Sequence, residues 1–167
     1  MNPNPPHTPP QPPTQTEIND FCSAAKMGYG DKVSSYLDRY GELIINERDN
    51  VRDTALTWAA WMGHADICRL LIERGAAVDA LGMTDRSALG WAARGGRQEA
   101  ARVLLEAGAD INLKDAEGNS PLQIASDANR QELVMLMNDV SQRRAEDLRA
   151  KKERTMVCPS CCGARPN

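Results

Sequence analysis

The sequence predicts an all-α solenoid: helix-turn-helix units stacked side by side, with a helical extension at the C-terminal end. Three observations lead there. The block Thr54-Ala55-Leu56-Thr57-Trp58-Ala59-Ala60 returns 33 residues on as Ser87-Ala88-Leu89-Gly90-Trp91-Ala92-Ala93, then again as Ser120-Pro121-Leu122-Gln123-Ile124-Ala125-Ser126. A fixed period of this length marks a repeat architecture. Behind each block, apolar residues fall three and four apart: Ile67, Leu70 and Leu71, then Ala100, Val103 and Leu104, then Leu133, Leu136 and Met137. That spacing is one face of a helix. Finally, 41% apolar residues in a chain of 167 can fill one core. No apolar run exceeds five residues (Trp58 to Met62, Leu133 to Met137), too few to span a bilayer.

Taken in order, residues 1–16 read as a disordered leader. Seven of the ten prolines lie in the first 13 positions. Proline lacks an amide donor and restricts the residue before it, so a solvated, partly polyproline II segment is expected. The runs PHTPP and PQPP loosely match ligands of aromatic-lined grooves, but no Arg or Lys flanks them. The first unit, about 17–48, is a looser copy through Ala24, Ala25, Gly28, Val33, Leu37 and Ile45, with extra residues near Tyr29 and Glu42. Its Glu17, Asp20, Lys26, Asp31 and Lys32 suit the polar cap that a solenoid end needs.

Three further units follow at about 49–81, 82–114 and 115–140. The hydroxyls of Thr54, Ser87 and Ser120 are good N-caps, and Pro121 suits a first helical position. Gly75 and Gly108 serve as stops after the second helices. The alanines at 59, 60, 92 and 93 let neighbouring helices approach closely. In the turns before the blocks, Arg52, Asp85 and Gly118 share one place. Arg in a left-handed conformation costs about 1 kcal/mol, so looser turns are expected in the second and third units. Good helix formers continue from Arg130 to about Arg154, giving a basic helical extension over 141–157 that frays beyond Val140. A Cys-containing tail, 158–167, closes the chain.

This pattern resembles the ankyrin repeat over residues 17–140, four units in all. Ala55 and Ala88 stand where that family usually has proline, and Thr57, Gly90 and Gln123 where it has histidine. The resemblance implies a non-catalytic protein-binding module that works through turn tips and the concave side of the first helices. Carried over residue by residue, it points to Asn50, Val51 and Asp53, to Met83, Thr84 and Arg86, and to Ala116, Glu117 and Asn119. On the first helices it points to Trp61 with Met62 and to Arg94 with Gly95; Met27, Asp127 and Ala128 are the equivalents in the end units. It also places Asn46 and Asn112 where ankyrin proteins can be hydroxylated. Trp61 leads this set, because aromatic side chains dominate interface energetics, and flexible Met62 sits beside it. On this reading Trp61→Ala loses binding and leaves folding nearly unchanged, whereas Trp58 and Trp91 belong to the core.

Residues 1–141 carry a net charge of −7 and residues 142–167 one of +4, so the overall −3 is a sum of opposites. An acidic body favours a protein partner with a basic surface and argues against nucleic acid. A monomer is expected. Of the two histidines, His7 lies in the leader and His64 follows Gly63 at a helix turn, a structural place. No nucleophile elbow, Walker motif or zinc-protease motif occurs, so neither catalytic residues nor a resident cofactor is expected.

Cys158, Cys161 and Cys162 make one C-x-x-C spacing and a third thiol, short of the four ligands that tetrahedral zinc needs. Reduced thiols in a disordered tail fit best. Zinc binding, a redox pair, and acylation at Cys161 and Cys162 beside Arg149, Lys151, Lys152 and Arg154 stand as alternatives, the last making a membrane-recruited adaptor. Cys22 and Cys68 read as small buried hydrophobes. No signal peptide is read at the N-terminus, and clustered thiols suit a reducing compartment, the cytoplasm or alternatively the nucleus.

Overall fold

A computed structural model describes residues 11–156, with side chains to residue 152. Four helical hairpins stack in sequence. The first holds α1 (Gln15–Met27) and α2 (Gly30–Tyr40), followed by a single turn, α3 (Glu42–Ile45). The others are α4 (Ala55–Met62) with α5 (Ala65–Glu73), α6 (Ala88–Gly95) with α7 (Gln98–Glu106), and α8 (Pro121–Asp127) with α9 (Gln131–Met156). Helices α1, α4, α6 and α8 pack as one row; α2, α5, α7 and α9 pack as a second. Among the described residues there is no strand, only an isolated bridge between Leu81 and Ser87.

The hydroxyl caps form where the sequence predicts them. Thr54 Oγ1 accepts from the Thr57 amide at 3.2 Å, while Thr57 Oγ1 accepts from the Thr54 amide at 2.9 Å. Ser87 and Ser120 accept from the Gly90 and Gln123 amides. Thr14 makes the same reciprocal box with Glu17. Helix α1 therefore starts at Gln15, and Thr14 to Thr16, read above as leader, belong to the first unit. Ala59, Ala60, Ala92, Ala93 and Ala125 are fully buried between first helices. Phe21, Leu56, Leu71, Leu89, Leu104, Leu133 and Met137 fill the core behind them.

A second set of inter-unit contacts caps the first helices. Helices α1, α4 and α6 end on left-handed glycines, Gly28, Gly63 and Gly96. A Cβ at each would stand 2.8 Å from His64, Arg97 or Arg130 of the following unit, respectively. Each unit thus lays one side chain over its predecessor's helix end. His64 Nε2 donates to the Lys26 carbonyl at 3.1 Å, and Arg97 Nε donates to the Trp61 carbonyl at 3.1 Å. These bonds satisfy carbonyls that a helix end leaves without an internal partner. The corresponding residue in the last unit is Asn129, at φ 56°.

The turns before α4 and α6, expected to be looser, are no looser than the one before α8. Arg52 and Asp85 are left-handed, like Gly118. Yet all three turns close alike: Asp49 N to Asp53 O at 2.9 Å, Gly82 N to Arg86 O at 3.0 Å, and Asp115 N to Asn119 O at 3.0 Å. Arg52 therefore strains its turn without opening it. Helix α9 also stays attached beyond Val140. Arg144 donates to the Ala109 carbonyl at 2.8 Å and the Leu105 carbonyl at 2.5 Å, closing the C-terminal end of α7. One turn further on, Leu148 is 69% exposed.

Arg144→Ala should therefore cost about 1–2 kcal/mol in urea unfolding, since buried carbonyls lose a charged donor. Arg143→Ala, which breaks only an exposed pair with Asp139, should cost less than about 0.5 kcal/mol. Equal losses would refute the capping role. Arg52→Gly should gain about 0.5–1 kcal/mol in the same measurement by removing left-handed strain.

Candidate binding groove

The chain's three tryptophans stand together on the first helices. Trp58 lies in the first turn of α4, Trp61 one turn later, and Trp91 in the first turn of α6. The Trp58 and Trp61 ring centroids are 5.5 Å apart at 22°, and those of Trp61 and Trp91 are 4.9 Å apart at 28°. Cations close both ends of the stack. Lys26 Nζ sits 4.1 Å from the Trp58 centroid, and Arg86 Cζ 4.9 Å from that of Trp91. The column joins three units, and offset stacking and cation–π attraction both favour it. Trp61 is half-buried at its centre, so it presents an edge to solvent and also ties the second unit to the third. Trp91 is a core residue at 7% exposure. Trp58, expected in the core, is only half-buried, and its Nε1 donates to Asp49 Oδ2 at 2.7 Å.

The turn tips beside this column are organised by carboxylates. Asp49 Oδ1 accepts from the Val51 and Asp53 amides, both at 3.0 Å. Asp115 Oδ1 does the same for Glu117 and Asn119, at 3.0 and 2.9 Å. Asp115 Oδ2 receives Arg86 Nε at 3.0 Å and Nη2 at 2.5 Å. Between these two aspartates in the repeat register stands Gly82, which has no side chain to offer.

Three consequences follow from Gly82. The Asp53 carboxylate from the preceding tip fills the space: a Cβ on Gly82 would lie 2.0 Å from Asp53 Oδ1. Asp53 Oδ1 accepts from the Met83 amide at 3.0 Å. Trp91 Nε1, the register equivalent of Trp58 Nε1, is buried with no hydrogen-bond partner. Lastly, with no acceptor at the turn's first residue, Thr84 takes φ 64°, ψ 25°, a region that β-branched residues rarely adopt. Its carbonyl then receives the Ala116 amide at 2.9 Å, linking the third tip to the fourth.

The structure sorts the sequence-predicted residues by accessibility. Asn50, Val51, Met83, Thr84, Arg94 and Glu117 are exposed around the groove; Trp61, Met62 and Asn119 are half-buried in it. Asp53 and Arg86 are each only 4% exposed. They bridge successive tips rather than face a partner. Sequence reasoning missed Lys26, Asp49 and Asp115 as parts of the site. The signal was present in the register of Asp49, Gly82 and Asp115.

Electrostatics follow from burial. Burial is the largest influence on Asp115 and acts upward, but the Arg86 hydrogen bond and the Asn119 and Glu117 amides hold its carboxyl below the ordinary value. Burial pushes Asp53 above its ordinary value, with the Met83 amide acting against it. Burial also pushes the thiols of Cys22 and Cys68 up to about 12, which leaves them poor nucleophiles. Among the described residues, no group of three or more His, Cys, Asp or Glu is placed to hold a metal ion. Nor is any helix there long and apolar enough to cross a membrane. Cys158, Cys161 and Cys162 lie outside the described residues.

A family model for ankyrin repeats in three copies matches residues 77–146, and one for a single ankyrin repeat matches residues 52–82. Together they span more than half of the chain. The chain belongs to the ankyrin-repeat family. Among human proteins it is similar to ankyrin repeat and KH domain-containing protein 1, at 38% identity over 65 residues, or 39% of this chain and 3% of that protein. It is also 38% identical over 65 residues to ankyrin repeat domain-containing protein 17, covering 39% of this chain and 2% of that one. The chain thus spans a few per cent of the length of these curated relatives. Ankyrin repeats are in general a non-catalytic fold that mediates binding to other proteins.

The ankyrin groove contains one titratable test of its own packing. The fold holds Asp53 above its ordinary value and so favours the protonated form. That contribution is complete below the ordinary carboxylate range and is lost as pH rises through the raised value. Asp53→Asn keeps an acceptor for the Met83 amide and removes the buried charge. The variant should melt higher than wild type at about pH 7, with the gap closing toward about pH 4. A lower melting temperature at neutral pH would show that the charge itself is required.

Proposed function

We propose that this ankyrin stack binds a protein partner on its concave side, with the Trp61 edge and Met62 at the centre of contact and the exposed tips at its rim. The observation that carries this reading is the tryptophan column. Three large aromatic side chains are held in fixed orientation, with two of them half-open to solvent. Rigid aromatic groups offer contact area at low entropic cost. Val51 and Met83, each 46% exposed at neighbouring tips, extend the apolar area. The net charge of −7 over residues 1–141 supports a partner with a basic surface, whose association would be salt-sensitive. The function is recognition without catalysis.

Trp61→Ala is a poor test of this reading. It removes two ring contacts between units and should cost about 1–3 kcal/mol of stability. Met62→Glu and Val51→Glu change the groove with less damage, and Arg69→Glu and Arg102→Glu change exposed positions on the second helices. In affinity capture with quantitative mass spectrometry, the two groove variants should lose the proteins retained by wild type at least tenfold. The two second-helix variants should keep them. The reverse outcome would move the binding face to the second helices and overturn the proposal.

A further inference from the structure

We propose that the protein partner carries an acidic side chain whose carboxylate docks where α6 ends, among Arg94, Arg97 and Arg130. The inference deepens the binding-face reading and rests on it. Arg94 lies in the last turn of α6, while Arg97 and Arg130 directly precede α7 and α9. Two adjacent glycines at the end of α6 bring them together. A Cβ on Gly95 would lie 3.2 Å from Arg97 Cγ, and one on Gly96 2.8 Å from Arg130 Nε. All three arginines are exposed. None of them makes an ion pair among the described residues. Arg97 Nε is spent on the Trp61 carbonyl, and the Arg94 and Arg130 guanidinium groups have no hydrogen-bond partner among the described residues.

The carboxylates nearby are engaged elsewhere. Glu132 accepts from Gln98 Nε2, Asp127 from Gln123 Nε2 at 2.8 Å and Glu117 from Asn119 Nδ2 at 3.3 Å, while Glu99 faces Arg102 at 3.9 Å. The C-terminus of α6 carries the equivalent of about half a negative charge, which one guanidinium offsets. Three exceed that need and repel one another, so a carboxylate among them is favoured. The planar guanidinium fork suits a carboxylate through two parallel hydrogen bonds. There is room for it. A recess of about 200 Å³ lies beside Arg94, walled by Ile124, Asp127 and Ala128. Another of about 300 Å³ lies beside Arg130, with Gln98, Asn129 and Gln131. In the column of Met27, Met62, Gly95 and Ala128 the side chain shortens over the last two units, so a partner's backbone can come close. The net −7 over residues 1–141 draws a basic partner from a distance. This local reversal of sign then fixes how that partner is oriented along the stack.

The probe is a blocked tetraglutamate peptide, added to the full chain at constant ionic strength and followed by NMR of the arginine Nε–H groups. The signals of Arg94, Arg97 and Arg130 should move saturably, and those of Arg69 and Arg102 should stay. Arg94→Glu should weaken the peptide about fivefold or more, whereas Arg94→Lys should keep most of its affinity. In complexes with proteins captured by the chain, carbodiimide should couple the amine introduced by Arg94→Lys to an Asp or Glu of the partner. The amine introduced by Arg69→Lys should give no such junction.

Equal movement of all five arginine signals would show general attraction and overturn the proposal. So would inorganic phosphate acting as strongly as the peptide, since the site would then take any anion. If Met62→Glu and Val51→Glu lose their captured proteins while the amine from Arg94→Lys couples to none of them, this proposal fails and the binding face stands. If the peptide binds at the three arginines while groove and second-helix variants capture alike, the partner-binding reading fails instead.

Discussion

Everything in this chain depends on how closely consecutive first helices can approach. A single hairpin cannot bury its own apolar face, so each unit is stable only against its neighbours. Buried alanines in α4, α6 and α8 permit that approach. The glycines that end α1, α4 and α6 extend the same constraint to the helix termini, where any Cβ would collide with a side chain of the next unit. With helices this close, residues one unit apart align in columns. The tryptophan stack and the tip carboxylates are both columns of that kind.

A regular column makes each irregularity informative. Asp49 and Asp115 show what a tip carboxylate does: it holds the turn amides and takes one further side chain as partner. Gly82 removes it once, and the effects appear in three places: a buried Asp53, an unpaired Trp91 N–H, and a left-handed Thr84. Each is unfavourable alone, by about 1–3 kcal/mol for a buried unpaired group or a strained backbone. The surrounding units hold the third tip in this state. It lies directly beside the groove that the tryptophans define, where the fold departs most from its own rule.

Much of this was legible in the sequence, and the reasons are local. Period, hydroxyl caps and helical stripes are short-range signals, so the units, their caps and the left-handed turns could be read from Thr54, Ser87, Ser120, Arg52 and Asp85. What escaped reading required alignment across units. Asp53 and Arg86 look like exposed tip residues until the next tip is placed against them. Trp61 looks like a free contact until Trp91 is stacked on it. Helix α9 looks detached past Val140 until Arg144 meets the end of α7. In each case the deciding partner lies some 30 residues away, at the distance of one repeat.

The glycine contacts also give the stack a direction in time. His64 donates to a carbonyl at the end of α1 and Arg97 to one at the end of α4, and Arg130 lies over the glycine that ends α6. In every case the closing residue comes later in the chain. As the polypeptide is synthesised from its N-terminus, α1 and α4 each emerge with a terminal carbonyl still open, and each is finished only when the following hairpin has been made. The last of the first helices, α8, is followed by left-handed Asn129, and no unit comes after it among the described residues.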